Sequence, residues 1–146
     1  MDPEAYLRQL PSVADPLPEG ARGFATDPAH YDSFSRRCVK DLTPERLTSG
    51  GTGGSRWVEV HLRHNCWKHE EDLTIRYRDV RTLTIEPAGQ GLAVAQLGDV
   101  LLDEVLPHDH GCRHEIACLA GTLVVTSLDL VATWSPADCR EREPSR

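Results

Sequence analysis

The stretch WVEVHLR at residues 57–63 decides the fold of this chain. Apolar side chains alternate in it with charged or polar ones, and a period of two places neighbouring side chains on opposite faces of a β-strand. The same alternation returns as LTIRYR at residues 73–78 and as TLTIE at residues 82–86. The three segments therefore predict half-buried strands, each with one face against a core and the other in water.

Strand-like segments continue toward the C-terminus and are separated by short turns. The turn PAGQG at residues 87–91 and the glycines Gly98, Gly111 and Gly121 mark these turns. The segments between them are residues 92–96, 100–106, 112–119 and 122–134. A parallel return needs a crossover of a dozen or more residues, which none of these connections provides, so we expect an antiparallel meander of about six or seven strands.

The N-terminal region carries three Asp-Pro pairs, a combination that suits the cap and first turn of a helix. The pair at residues 2–3 predicts a helix that ends at Pro11. The pair at residues 27–28 predicts a second helix, because apolar residues follow it at helical spacing: Tyr31, Phe34, Cys38 and Leu42. The predicted class is α+β, with short N-terminal helices followed by a mainly antiparallel β-sheet meander.

A chain of 146 residues is long enough for one core, and we predict a single domain over residues 1–146. Residues 1–48 form its helical and irregular part, residues 56–134 its sheet and residues 135–146 a polar tail. The stretch SGGTGGS at residues 49–55 has the composition of a flexible linker. A phosphate-binding loop is disfavoured there, because no Gly-Lys-Ser/Thr ends the run and a strand pattern follows.

Composition restricts the partners and the location of the chain. A formal charge of −7 and a pI near 5.4 disfavour nucleic acid, which is bound through clustered basic residues. No apolar run approaches the roughly 20 residues that cross a bilayer, and the proline-rich start does not resemble a signal peptide. We therefore expect a soluble, cytoplasmic protein with no membrane partner.

The cysteines and lysines indicate the compartment and the source of the chain. The five cysteines lack any CxxC pair, which is typical of reduced thiols in a cytosol. Only Lys40 and Lys68 among the sixteen basic residues are lysines, a bias associated with GC-rich bacterial coding sequences.

Two sequence windows rich in histidine predict a site for zinc or another transition metal. The first window is HLRHNCWKH at residues 61–69 and the second is HDHGCRH at residues 108–114. The candidate ligands are His108, His110 and His114, with Cys112, His64 or His69 completing the shell. His61 and His64 lie three apart on a predicted strand and should project to opposite faces.

Two other interpretations of these histidines stay open. The histidines at the hairpin tip can be solvated, with His114 at the edge of the core and bonded to a backbone carbonyl, Glu104 or Glu115. Alternatively, the histidines respond to pH, since imidazole titrates nearest neutrality.

No complete catalytic motif is present, so we predict no catalytic or cofactor-binding residues. Cys66 or Cys112 would be an activated nucleophile only if a histidine lay within hydrogen-bond reach, which adjacency in sequence does not establish. Among the carboxylates, Asp103 or Glu104 is expected to point inward and to pair with Arg113 or His114 on the next strand.

Trp67 lies in the polar part of the first window, where its ring needs either a covering element or a partner. Packing over a sheet edge is the structural interpretation. Contact with a partner is the functional interpretation, and we adopt Trp67 as the candidate contact residue.

Several short segments resemble small uncharacterised bacterial α+β proteins, some of which are immunity partners of secreted toxins. They are YRDV at residues 77–80, LLDE at 101–104, HEI at 114–116, Gly121 and the ending at Trp134. The resemblance implies binding rather than chemistry. The leading hypothesis is a non-enzymatic cytoplasmic domain that binds another protein or a second copy of itself, and the alternative is a small metalloprotein.

Overall fold

The computed structural model describes residues 2–137 and confirms the α+β class. Two helices come first, α1 (Pro3–Ala14) and α2 (Glu19–Ala25), and a short 3-10 helix (Val94–Gln96) lies later in the chain. The strands found within this part of the chain are β1 (Thr43–Thr52), β2 (Ser55–Arg63), β3 (Glu71–Glu86), β4 (Val100–His108), β5 (Gly111–Cys118) and β6 (Thr122–Pro136).

The strands form one antiparallel sheet in the order β1-β2-β3-β6-β5-β4. Each half of the sheet is a three-stranded meander. Two details of the predicted meander are wrong: residues 92–96 contain the short 3-10 helix and no strand, and residues 73–78 and 82–86 belong to one strand, β3. The two halves are joined by the long strands β3 and β6, whose pairing runs from Glu71 opposite Pro136 to Glu86 opposite Thr122. β1 and β4 therefore lie at the two edges of the sheet.

One face of the sheet carries the core, and α2 packs against it. Val58, Val60 and Leu62 are fully buried, as the alternation in β2 predicts. Burial of such side chains contributes roughly 1.5–3 kcal/mol each. The N-terminus of α2 is fastened to β6, because the backbone N–H groups of Gly20 and Ala21 donate to the Asp129 carboxylate at 3.1 and 2.9 Å.

The predicted helix after residues 27–28 is wrong: residues 26–42 form consecutive turns. The physical reason is local competition for backbone N–H groups. The side chains of Asp27, Asp32 and Ser35 each accept the N–H two residues ahead. The apolar residues consequently do not share one face: Leu42 is fully buried, whereas Phe34 is almost fully exposed.

Two predicted helix boundaries also differ from the structure. α1 continues through Pro11 to Ala14, whose side chain is buried. Loss of one backbone hydrogen bond at a proline is outweighed there by packing of the last turn. The second Asp-Pro pair, at residues 15–16, does not begin a helix, since α2 starts only at Glu19.

The stretch expected to be a linker, residues 49–55, instead belongs to the β1–β2 hairpin. Gly53 and Gly54 have φ values of 62° and 83°, which a two-residue hairpin turn requires and glycine adopts without cost. Gly50 lies under the Trp57 ring, where a Cβ would approach a ring carbon to 2.8 Å. The glycines therefore serve strand pairing and a turn.

The predicted tail lies mostly outside the described residues. Its first two residues, Ser135 and Pro136, belong to β6 and pair with Asp72 and Glu71. Neither helix of residues 2–137 combines the length and apolar character needed to cross a membrane.

Candidate functional site

A chain of buried polar side chains crosses the core between β3, β5 and β4. The hydroxyl of Tyr77 lies 2.6 Å from Nδ1 of His114, and Nε2 of His114 lies 2.7 Å from Oδ2 of Asp103. Nε2 of His30 lies 2.7 Å from Oδ1 of the same carboxylate. All four residues are at most 2% exposed. The prediction that Asp103 points inward and pairs with His114 is confirmed, and Arg113 pairs with Glu115 instead.

The hydrogen-bond partners indicate which atoms of this buried network carry protons. Nδ1 of His30 lies 2.8 Å from the carbonyl of Phe24, which can only accept, so His30 donates from both ring nitrogens. Burial would raise the pKa of the Asp103 carboxyl, but the two imidazoles that face it hold that pKa below its usual range. Burial also raises the pKa of the Tyr77 hydroxyl well above its ordinary value.

The polar groups of the buried network are paired within the protein. A cavity of about 290 Å³ adjoins His30 and Asp103 and is lined also by Leu7, Tyr31 and Leu101. Among the described residues, no buried side-chain nitrogen or oxygen lacks a hydrogen-bond partner. We therefore assign the network a structural role, fastening residues 26–42 to the sheet.

The second histidine window is split between the core and the hairpin tip. His114 belongs to the buried network, whereas Nε2 of His110 lies 3.0 Å from Nε of Arg81 and 3.1 Å from the carbonyl oxygen of Asp79. Nδ1 of His108 accepts the N–H of His110 at 3.4 Å. The structure does not bring the three histidines together.

The remaining candidate ligands lie elsewhere. Cys112 is buried with its thiol 3.7 Å from the Ser127 hydroxyl, and burial raises the pKa of this thiol to about 11. His64 contacts Asp72, whereas His110 contacts Asp79 on the same strand. Seven residues of β3 separate the two positions, which corresponds to about 23 Å along the strand. Residues 2–137 contain no group of three or more His, Cys, Asp or Glu side chains placed to hold one metal ion. Metal binding stays a prediction.

The first window forms the loop between β2 and β3, residues 64–70, which we name the Trp67 loop. Nδ1 of His64 lies 2.6 Å from Oδ1 of Asp72, and Nε2 of His64 lies 2.9 Å from Sγ of Cys66. His61 also approaches Asp72, with Nε2 3.6 Å from Oδ2. The expected projection of His61 and His64 to opposite faces is wrong, because β2 ends at Arg63 and the alternation ends with it.

His69 fastens the Trp67 loop to the body of the protein. Its Nδ1 accepts the backbone N–H of Asn65 at 3.0 Å, so its Nε2 carries the proton and donates to the carbonyl of Cys38 at 2.7 Å. Burial lowers the pKa of His69, which agrees with this neutral form. The ring is fully buried and stacks near Trp134.

Residues 26–42, which we name the Phe34 loop, lie beside the Trp67 loop. Ion pairs join the Phe34 loop to the Trp67 loop and to Glu71, the first residue of β3. They are Arg36 with Glu70 at 2.9 Å, Arg37 with Glu71 at 2.7 Å, and Lys68 with Asp41 at 3.1 Å. Together with the His69–Cys38 bond, these contacts make the two loops one connected surface, the paired-loop surface.

The paired-loop surface exposes the two least buried large hydrophobic side chains of the described residues. Phe34 is 98% exposed and Trp67 is 78% exposed. The backbone N–H of Phe34 donates to the side chain of Asp32, and that of Trp67 donates to the side chain of Asn65. Each aromatic residue is thus held by the same kind of local turn.

Sequence reasoning identified Trp67 as a candidate contact residue and missed Phe34, which it placed on the apolar face of a helix. The Asp and Ser residues spaced through residues 27–35 were the signal that could have indicated turns. Comparisons of the chain with protein-family models, with curated proteins and with solved structures found no match.

Proposed function

We propose that this chain is a non-enzymatic cytoplasmic domain that binds another protein through the paired-loop surface. The observation that carries the proposal is the exposure of Phe34 and Trp67 on two loops that are hydrogen-bonded and ion-paired to each other. Large aromatic side chains are favoured anchors of protein interfaces. Loops that are already ordered lose little conformational freedom on binding.

The chemistry of the partner follows from charge. The chain carries a formal charge of −7, so a partner with a basic surface gains a faster encounter from electrostatic attraction. An immunity-type role, in which the chain binds and blocks a basic toxin, is one member of this class and agrees with the resemblance found in the sequence.

The test is binding of a purified partner by three forms of the chain. A partner captured from the source cell is identified, purified and titrated by calorimetry against the natural protein and the double variant Phe34→Ala/Trp67→Ala. We expect stoichiometric binding by the natural protein and a loss of affinity of about 100-fold or more in the variant, because two buried aromatic anchors together contribute several kcal/mol.

The matched control is Leu119→Ala, which removes an exposed apolar side chain at the turn between β5 and β6, outside residues 26–42 and 64–70. Its affinity should equal that of the natural protein. Association should also slow as salt is raised, because the attraction is screened. Equal losses in the control and the double variant, or self-association as the sole assembly, would contradict the proposal.

A further inference from the structure

The Trp67 loop and the first residues of β3 hold a thiol, an imidazole and a carboxylate in series, and the proposed binding function does not use them. Sγ of Cys66 lies 2.9 Å from Nε2 of His64, and Nδ1 of the same ring lies 2.6 Å from Oδ1 of Asp72. The backbone N–H of His64 also donates to that oxygen at 2.9 Å. The carboxylate therefore orients both the ring and the residue that carries it.

The hydrogen-bond partners of His64 indicate which of its ring nitrogens carries the proton. Burial would raise the pKa of the Asp72 carboxyl, but the hydrogen bonds from the backbone and ring of His64 outweigh it and lower that pKa. An ionised carboxylate only accepts, so Nδ1 of His64 carries a proton. Nε2 is then left to take the proton of the Cys66 thiol. Glu45, 3.3 Å from His61, and Asp72 surround this side of the loop with negative charge.

We propose that Cys66 is a reactive thiol activated by His64 and oriented through Asp72, and that it reacts with small peroxides. The arrangement is that of an activated nucleophile: a thiol, a base within hydrogen-bond reach, and a third group that holds the base. The step is stoichiometric, with one oxidation for each chain.

The electrons and protons of the step balance with hydrogen peroxide as oxidant. The thiol proton passes to Nε2 of His64, and the thiolate attacks one peroxide oxygen. The S–O bond forms as the O–O bond breaks, and the departing hydroxide takes the proton from His64 and leaves as water. The products are a sulfenic acid at Cys66, one water molecule and neutral His64.

Solvent exposure alone and activation by His64 predict different answers to which cysteine reacts first. Cys66 is 1% exposed and Cys118 is 7% exposed. Burial raises the pKa of the Cys118 thiol to about 12, and this thiol donates to the backbone carbonyl of Ile116, a group that takes up no proton. Activation by His64 therefore predicts that the less exposed cysteine reacts first, whereas access alone predicts the reverse.

The experiment treats the folded full-length protein with hydrogen peroxide at one neutral pH. Sulfenic acid is trapped with dimedone, and each cysteine is followed by peptide mass spectrometry. We expect Cys66 to be labelled about tenfold or more faster than Cys118, and the preference to disappear in concentrated urea, where the series is dismantled. Faster labelling of Cys118 in the folded protein, or a preference that persists in urea, would overturn the proposal.

A second measurement assigns the role of His64. In the variant His64→Gln, labelling of Cys66 by peroxide should fall about tenfold or more, and alkylation by iodoacetamide should fall less, because departing iodide needs no proton. His110→Gln, at the distant hairpin tip, is the control and should leave both rates unchanged.

Asp72→Asn provides an independent variant if His64→Gln does not fold, as judged by circular dichroism. It should slow the peroxide reaction in the same direction, because the imidazole loses the charge that supports its proton. Unchanged peroxide rates in a folded variant would contradict the activation of Cys66 by His64. Equal losses with both reagents would contradict the transfer of a proton from His64 to the departing hydroxide.

Discussion

Two regions of this molecule place a histidine between a carboxylate and an S–H or O–H group, yet their surroundings differ. In the core, Tyr77, His114 and Asp103 are connected in this order. Along the Trp67 loop and the start of β3, Cys66, His64 and Asp72 are connected in the same order. A second histidine approaches each carboxylate, His30 at 2.7 Å from Asp103 and His61 at 3.6 Å from Asp72. The side chain of Asp103 is 2% exposed, whereas that of Asp72 is 19% exposed.

The difference shows that connectivity alone does not define a reactive site. The hydroxyl of Tyr77 is fully buried with its pKa raised, so it has no tendency to ionise. A thiol is more acidic than a phenol and is a stronger nucleophile. The core series therefore stabilises the fold, and the loop series is the one that can support chemistry.

The largest effect is expected from Asp103→Asn. This change removes the charge that His30 and His114 share and leaves a buried cation, which costs about 3–5 kcal/mol in the free energy of unfolding. Urea denaturation followed by tryptophan fluorescence measures it. Glu104→Gln, on the neighbouring and more exposed position of β4, should change stability by less than about 0.5 kcal/mol. Equal losses in the free energy of unfolding for the two variants would contradict a structural role of the core series.

Acid should destabilise the protein through the same carboxylate. The pKa of Asp103 in the folded protein lies below the value of about 3.9 in an unfolded chain. The folded state then binds fewer protons, so this stabilisation is present above about pH 4 and is lost as the pH falls below it. Denaturation between pH 7 and pH 3 should show a steeper loss in the natural protein than in Asp103→Asn.

Tyr77→Phe is expected to have an intermediate effect. It leaves Nδ1 of His114 buried without its donor, at a cost of about 1–3 kcal/mol. The same denaturation assay measures the change, and Tyr31→Phe serves as a control because its hydroxyl donates to a backbone carbonyl at a part-buried site. A Tyr77 variant as stable as the natural protein would show that the core series ends at His114.

His64→Gln should have the smallest effect on stability, about 1 kcal/mol, because water can replace part of what Asp72 loses at a partly exposed site. The same variant is expected to lower the reactivity of Cys66 strongly. If His64→Gln lost as much stability as Asp103→Asn, the loop series would stabilise the fold as the core series does, contrary to the distinction drawn between them.

Local structure was predictable where the side-chain period was regular. The alternation in residues 57–63 gave the strand and its buried face correctly, since Val58, Val60 and Leu62 are all buried. The sequence placed one carboxylate of residues 103–104 inward, against Arg113 or His114, and the structure selects Asp103 with His114. The two are diagonal neighbours on one face of the β4–β5 hairpin, since His114 itself lies opposite Val105. The helix expected after residue 27 failed because apolar spacing outweighed the turn-forming residues in the prediction.

The candidate sites were predictable only in part. Trp67 was identified because an aromatic residue in a polar segment is conspicuous in sequence. The approach of His64 to Cys66 depends on the conformation of a turn, which residue spacing does not specify. The partnership of His30 with Asp103 joins residues 73 positions apart and has no local signal.

The sequence by itself determined the strands of the regularly alternating segments, their buried faces and the antiparallel sense of their hairpins, because each of these follows from periods and turns of a few residues. It did not determine β1, whose residues it assigned to an irregular segment and a linker. Only the tertiary structure decided that β3 pairs with β6, that His30 meets Asp103 and that the Phe34 and Trp67 loops lie together. Those contacts join distant segments, and they form because packing of the whole core compensates the entropy of bringing such segments together.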